Sequence, residues 1–375
     1  MALFRRCVFF LLAALVTPAP SAGQQTCVDR DRLHRFDGDD LVWSDVRAIS
    51  SNDSLLVVLT GSYPAIHLFK LAGGAHLRSW GRSGEGPGEF QSAAGVALVG
   101  RHVYALGADQ VRLSIFEFTG DLLRTVSLRD FGMSSYRPSR LESAEGDTLL
   151  FQGFVPMANE RIILARSFGA GANEDSVRRD SVIVYPARTA SLRLTAPGAP
   201  SLTLSHPYSP SPQWTPYSGG VAFWDGSDSG VRVLGFDGEQ RSVIPLALDD
   251  RFEVTEEDRE YWFRNEIPDE IFGRRGVFDP LREEARRTVD FPRYHPTVFE
   301  LLNGPDDLLW VRRTPAGREQ VWDVVDVRGQ PASRVTLASD QVLMAVGPGH
   351  LVLRVTDALG VESVEVHQCS VAPGA

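Results

Sequence analysis

Short apolar runs, each closed by a cluster of Gly, Asp, Asn or Ser, follow one another along most of the chain. Between 46 and 80 they fall at 46–50, 55–60, 65–69 and 76–80, with Ser51-Asn52-Asp53-Ser54 and Gly73-Gly74 as turns. Alternation at a period of two, broken by turn formers at close spacing, predicts short antiparallel strands. The layout recurs at 96–99, 103–106, 113–118 and 122–128, with Thr119-Gly120-Asp121 as the last turn. The third strands of the two units match in register, Ile66-His67-Leu68-Phe69 against Leu113-Ser114-Ile115-Phe116. Between the units lies Gly81-Arg82-Ser83-Gly84-Glu85-Gly86-Pro87-Gly88-Glu89-Phe90. Four glycines and a proline in ten residues exclude a helix or a central strand and predict a shaped connection from one sheet to the next.

The pattern continues at 149–154, 162–165 and 182–185, then at 221–224, 231–236 and 242–244, then at 297–302, 308–311, 321–327 and 333–337. The last unit holds three runs, at 342–346, 350–355 and 361–367. Residues 197–216, rich in Pro and Ser, read as a long surface connection. Between 255 and 290 the period changes. Thr255-Glu256-Glu257-Asp258 predicts a helix N-terminus, Tyr261, Trp262 and Phe263 follow as an apolar anchor, and Pro268 stops it. Asp279-Pro280 predicts a second helix start, with Glu283 and Arg287 spaced for an i,i+4 pair.

A repeat of about 40–50 residues with four strands per unit predicts propeller blades. The expected fold is an all-β, six-bladed β-propeller with a small helical insertion before the fifth blade. The units fall near 46–80, 94–128, 139–186, 191–246, 296–337 and 341–367. The sixth lacks an outer strand, and residues 28–37 form an unassigned strand at the other end of the chain. If 28–37 completes the sixth blade beside 361–367, Cys27 and Cys369 come together, and a structural disulfide between them is expected.

The run from Trp80 to Phe90 resembles the inter-blade signature of NHL-type six-bladed β-propellers exported by bacteria. Phe116-Glu117-Phe118-Thr119-Gly120 and Phe236-Asp237-Gly238 are similar to that family's aromatic–acid–Gly hairpin between outer strands. The resemblance implies fold and export but no single activity, because such scaffolds carry both binders and enzymes.

Composition narrows the partners. At 375 residues, 43% hydrophobic and 23% charged, the chain is long enough for one large all-β domain and excludes wholesale disorder. A formal charge of -10 argues against a general nucleic-acid or anionic-membrane role, which needs clustered Lys and Arg. Arg5 and Arg6, the apolar run 7–16 and the small-residue exit Pro20-Ser21-Ala22 predict a secretory signal peptide over 1–22, leaving 23–375 as a single propeller domain. The apolar run is short for a membrane span. Lipidation at Cys27 is the lesser alternative, since Gln24-Gln25-Thr26 is a poor approach to such a site. A monomer in the periplasm or outside the cell is expected.

No catalytic spacing stands out. His-Glu-Xaa-Xaa-His and Cys-Xaa-Xaa-Cys are absent, and Gly226-Ser227-Asp228-Ser229-Gly230 has Asp where a nucleophile elbow needs Ser. Of the eight histidines, His295 alone plainly precedes an innermost strand. The loops leading into innermost strands of a propeller share one face, and Arg82, Glu85, Tyr136, Arg137, Trp214, Arg293 and His295 lie in or beside them. Arginines with aromatics suit a binding surface. The preferred reading is a binding scaffold for a protein, peptide or glycan, with no catalytic residues and no cofactor. The alternative is a metal-dependent propeller lyase or lactonase-type hydrolase holding Ca or Zn at the channel.

Overall fold

A computed structural model describes residues 32–36, 43, 45–131, 137–144, 146–155, 158–167, 180–187, 190–227, 230–246, 250–271, 274–315 and 317–369. Alternating apolar positions pair strand against strand into six four-stranded antiparallel sheets among these residues. Blade 1 runs Val46–Ser51, Leu55–Thr60, Ile66–Lys70, His76–Trp80, and blade 2 runs Ala93–Val99, His102–Gly107, Arg112–Glu117, Leu122–Ser127. Blade 3 is Arg137–Ser143, Thr148–Val155, Glu160–Ser167, Asp180–Pro186; blade 4 is Gln213–Tyr217, Gly220–Trp224, Val231–Gly235, Gln240–Ile244. Blade 5 holds Glu300–Asn303, Leu309–Arg312, Gln320–Val325 and Pro331–Leu337. Gln341–Gly347, His350–Thr356 and Glu362–Gln368 make three strands of blade 6, and Arg32–Phe36 supplies the fourth. The expected six-bladed propeller is the observed fold.

Packing follows the same ring. One buried apolar cluster fills each junction between neighbouring blades. Leu59, Ile66 and Leu68 of blade 1 meet Val96 and Phe116 of blade 2 and Phe90 of the loop before it, and four more clusters continue around to blade 6. The sixth junction joins Val352, Val364 and Val366 to Leu56, Val58 and Phe69, with Phe36 and Trp43 between them. Closure therefore depends on the strand Arg32–Phe36. It pairs antiparallel with the last strand, Arg32 opposite His367 and Phe36 opposite Val364. Phe36 packs edge-on to Phe69 at 5.2 Å, and Arg32 reaches Glu365 at 3.2 Å. Cys369 is 7% exposed and disulfide-bonded. Cys27 lies outside the described residues, as does the expected signal segment 1–22.

The glycine-rich junction is a loop with a two-residue parallel ladder, Arg82–Ser83 beside Glu89–Phe90. Phe90 is fully buried, and Glu89 folds back onto the loop, accepting from Gly86 N at 2.8 Å and Arg82 Nε at 2.6 Å. Gly84 has φ +152°, and a Cβ there would stand 2.1 Å from the Glu89 carboxylate, so glycine is required.

Two expectations change. Residues 191–212 do not belong to blade 4, which begins at Gln213. Ser191–Leu194 and Leu202–Ser205 instead form a separate hairpin, so 197–216 is more structured than a surface connection. The period-two runs at 191–194 and 202–205 have no blade surface to cover; they cover the helices. Helices α1 (Glu256–Glu266) and α2 (Asp279–Thr288) form the two-helix insertion between blades 4 and 5, and their apolar residues Trp262, Phe263, Leu281 and Ala285 share a core with Leu194. The aromatic anchor thus grips the hairpin as well as the body. On α2, Arg287 pairs with Glu284 at i,i+3 and 2.8 Å, not with Glu283.

Two outcomes test this packing. Phe36→Ala removes a 1%-exposed aromatic from the closing junction and should lower the unfolding free energy in urea by about 3–5 kcal/mol. His67, 1% exposed, bonds Ser79 Oγ at 2.8 Å; burial first, then nearby His76, pushes its pKa from 6.5 down to about 4. The unfolded chain binds the proton more readily, so stability present above pH 6.5 is lost as pH falls toward 4. That loss should reach about 3 kcal/mol at roughly 1.4 kcal/mol per pKa unit. His67→Gln should flatten the stability profile across that window in denaturation measured at successive pH values.

Candidate functional site

The first strands of successive blades adjoin around the ring, and their starting ends define one face of the propeller. On that face, between blades 4 and 5, lies a cavity of about 330 Å³. Its walls come from four segments. Tyr208 and Pro210 lead into blade 4, and Trp224 ends the strand opposite Gln213. Asp250, Arg251 and Phe252 precede α1. Residues 292–297 lead into blade 5, with Arg313 behind them. The lead to α1 and the lead to blade 5 are zipped together, His295 N donating to Phe252 O at 2.9 Å and Val254 N to Arg293 O at 3.0 Å.

Asp258 fixes this arrangement. It is the third residue of α1 and forms a capping box with Thr255, whose backbone N and hydroxyl both donate to Asp258 Oδ2 at 2.7 Å. The same carboxylate accepts from His295 Nε2 at 3.1 Å and from Arg318 Nη1 at 2.9 Å. Burial works against its ionisation, but the Thr255 bonds and His295 outweigh burial and hold the carboxyl below the usual range. His295 is shifted down, because burial disfavours the imidazolium more than Asp258 stabilises it. Neutral His295 with Nε2–H committed to a carboxylate leaves Nδ1 as an acceptor. That Nδ1 is buried and has no hydrogen-bond partner among the described residues.

The charged floor is tied in a second network. Arg313, 2% exposed, donates to Asp323 Oδ2 at 2.5 Å, Thr297 O at 2.9 Å and Asp250 O at 2.6 Å. Arg334 joins Asp323 and Asp250. At the rim, the guanidiniums of Arg293 and Arg251 lie 4.9 and 5.9 Å from the Tyr294 ring centre. Arg293 also pairs with Glu253 at 3.2 Å across an exposed gap.

Of the residues singled out from sequence, Arg293 and His295 are brought together in this cavity. Arg82 and Glu85 sit on the loop between blades 1 and 2. Arg82 is bound to Glu89, Glu85 accepts from Gln91 at 2.6 Å, and Arg82 borders a different, shallow cavity beside Tyr63 and Trp80. Trp214 is 2% exposed, with its indole N–H bonded to Gln152 Oε1 and Arg140 stacked 4.4 Å above it. Tyr136 lies outside the described residues, and Arg137 is described in backbone only. Asp258, Arg318, Arg251 and Tyr208 were not picked out as site residues. The Thr255-to-Asp258 spacing signalled a helix start, but nothing local marks Asp258 as the partner of a histidine 37 residues away.

No protein-family profile matches the chain, and no curated protein does. Solved structures do. A protein named as exported from Bacteroides fragilis is similar at 12% identity and a TM-score of 0.51, covering 92% of this chain and 96% of that one. A member of the DUF4221 family from Bacteroides vulgatus is similar at 9% identity and 0.53, covering 92% and 98%. A streptogramin B lyase structure reaches 10% identity and 0.38, too little to bear on activity. The two Bacteroides likenesses support the six-bladed propeller fold alone, not membership of the NHL family in particular. Among the described residues no three His, Cys, Asp or Glu side chains converge as metal ligands, so no donor set supports a metal-dependent lyase or lactonase. No helix among them is long and apolar enough to cross a membrane.

The Asp258 knot makes a graded prediction. Asp258→Ala strands a buried histidine and an arginine and should cost about 3–5 kcal/mol in urea denaturation. Glu260→Ala breaks only the partly exposed pair with Arg286 and should cost under about 1 kcal/mol.

Proposed function

We propose that this chain is an exported β-propeller that works as a binding scaffold, taking part of a protein, peptide or glycan into the cavity between blades 4 and 5. The observation that supports the reading is the cavity itself. Flat apolar side chains, Arg251 and Arg293 meet at one concave place on the face where binding loops gather. The walls are held by the Asp258 and Arg313 networks, so little ordering is needed when a ligand arrives. Export is supported by the charge and hydropathy pattern of residues 1–22, and a bond from Cys369 to Cys27 would suit the oxidising compartment that export implies.

Arrays of glycans and peptides probed with the mature protein test the reading. A captured ligand should bind Tyr294→Ala and Arg293→Ala about tenfold more weakly, the scale of losing one contact residue. Capture unchanged in both variants would place binding elsewhere. Peptide mapping without reductant should recover Cys27 and Cys369 in one cross-linked fragment, and the mature protein should begin at Gly23.

A further inference from the structure

The cavity differs electrically from the rest of the molecule. The chain carries a formal -10, yet three arginines and one carboxylate line this place. Arg313 and Asp250 are spent on each other's neighbourhood, the first on Asp323 and backbone carbonyls, the second on Arg334. What remains facing a ligand is Arg293, shared with an exposed Glu253, and Arg251, which has no ion pair among the described residues. Both guanidiniums rest against Tyr294, which limits their freedom and presents planar donors suited to a carboxylate.

Deeper in, the His295 side chain is 1% exposed and closed to a ligand, so it holds the wall in place and does not touch what enters. Phe252 and Tyr208 add apolar ring surface against which the C–H face of a sugar can lie. A volume of about 330 Å³ admits one ring or one side chain, not a folded surface.

Resting on the binding reading above, we propose that the cavity takes an anionic saccharide unit, a uronate, with its carboxylate toward Arg251 and Arg293 and its C–H face against Phe252 and Tyr208. An acidic peptide shares the carboxylate. It is less well matched to the apolar ring faces of Phe252 and Tyr208, because an Asp or Glu side chain has no flat C–H face to lay against them.

Calorimetric titration of the mature protein with oligogalacturonate, oligomannuronate and a glucuronate disaccharide tests this, with the methyl ester of the first and hexaglutamate as comparisons. At least one uronate should bind with Kd below about 1 mM, and removing the negative charge by esterification or substituting Arg251→Ala should weaken binding about tenfold. Arg251 is exposed and lies outside the Asp258 knot, so its variant leaves the fold intact. Failure of all three uronates, equal binding of the methyl ester, or hexaglutamate binding as tightly as the best uronate would each overturn the saccharide assignment. An array ligand still lost in Tyr294→Ala would then leave the binding scaffold standing with a different ligand.

Discussion

The pairing of Arg32–Phe36 with Glu362–Gln368 is the constraint on which the molecule depends. Without it, blade 6 ends in an open edge, and the cluster holding Phe36, Trp43 and Phe69 loses the side chains that join the last blade to the first. Further bonds cross the same junction. Glu362 N donates to Trp43 O, Glu362 Oε2 accepts from Val46 N, and Arg354 donates to Val46 O. Each is worth little alone, but all cross between segments more than 300 residues apart in sequence. A ring closed this way fixes the spacing of all six first strands, and with them the face on which the lead-in loops gather.

The insertion uses that rigidity. Its helices and the 191–205 hairpin bury a core of their own, so they could have been an appendage with no bearing on the face. What ties them down is Asp258. A capping carboxylate at the start of α1 reaches a histidine in the lead to blade 5 and an arginine beyond it, while the 250–254 segment hydrogen-bonds the 293–295 segment. Helix capping, loop position and cavity shape thus share one group. The binding cavity is the space left where a helical cap meets a blade junction, and its polarity follows from which polar atoms the cap uses and which it leaves over.

Much of the architecture was legible along the chain. Period-two runs, turn clusters and a three-stranded last unit are local features, and each reports on its own few residues. Counting them yielded the blade number and the closing strand, and Thr255 and Asp279-Pro280 marked both helix starts. The hairpin over 191–205 was not legible, for a physical reason: Pro and Ser between two four-residue runs read as a surface connection into blade 4, and only the helices they cover make them strands. Trp214 and Arg82 show the same limit from the other side. An aromatic or an arginine beside a lead-in loop can stack on a neighbouring side chain or brace its own loop, and composition does not distinguish these from exposure.

By itself, then, the sequence determined repeat, blade count, helix starts and the meeting of the two chain ends, because backbone preference and amphipathic period act over a few residues at a time. The folded molecule alone decided that His295 faces Asp258, that Arg313 is spent internally while Arg251 is not, and that these lie around one cavity. Those outcomes depend on through-space distances between segments 20 to 100 residues apart. Hydrogen bonds and charges fall off within a few ångströms, so only the closed ring can set which of them meet.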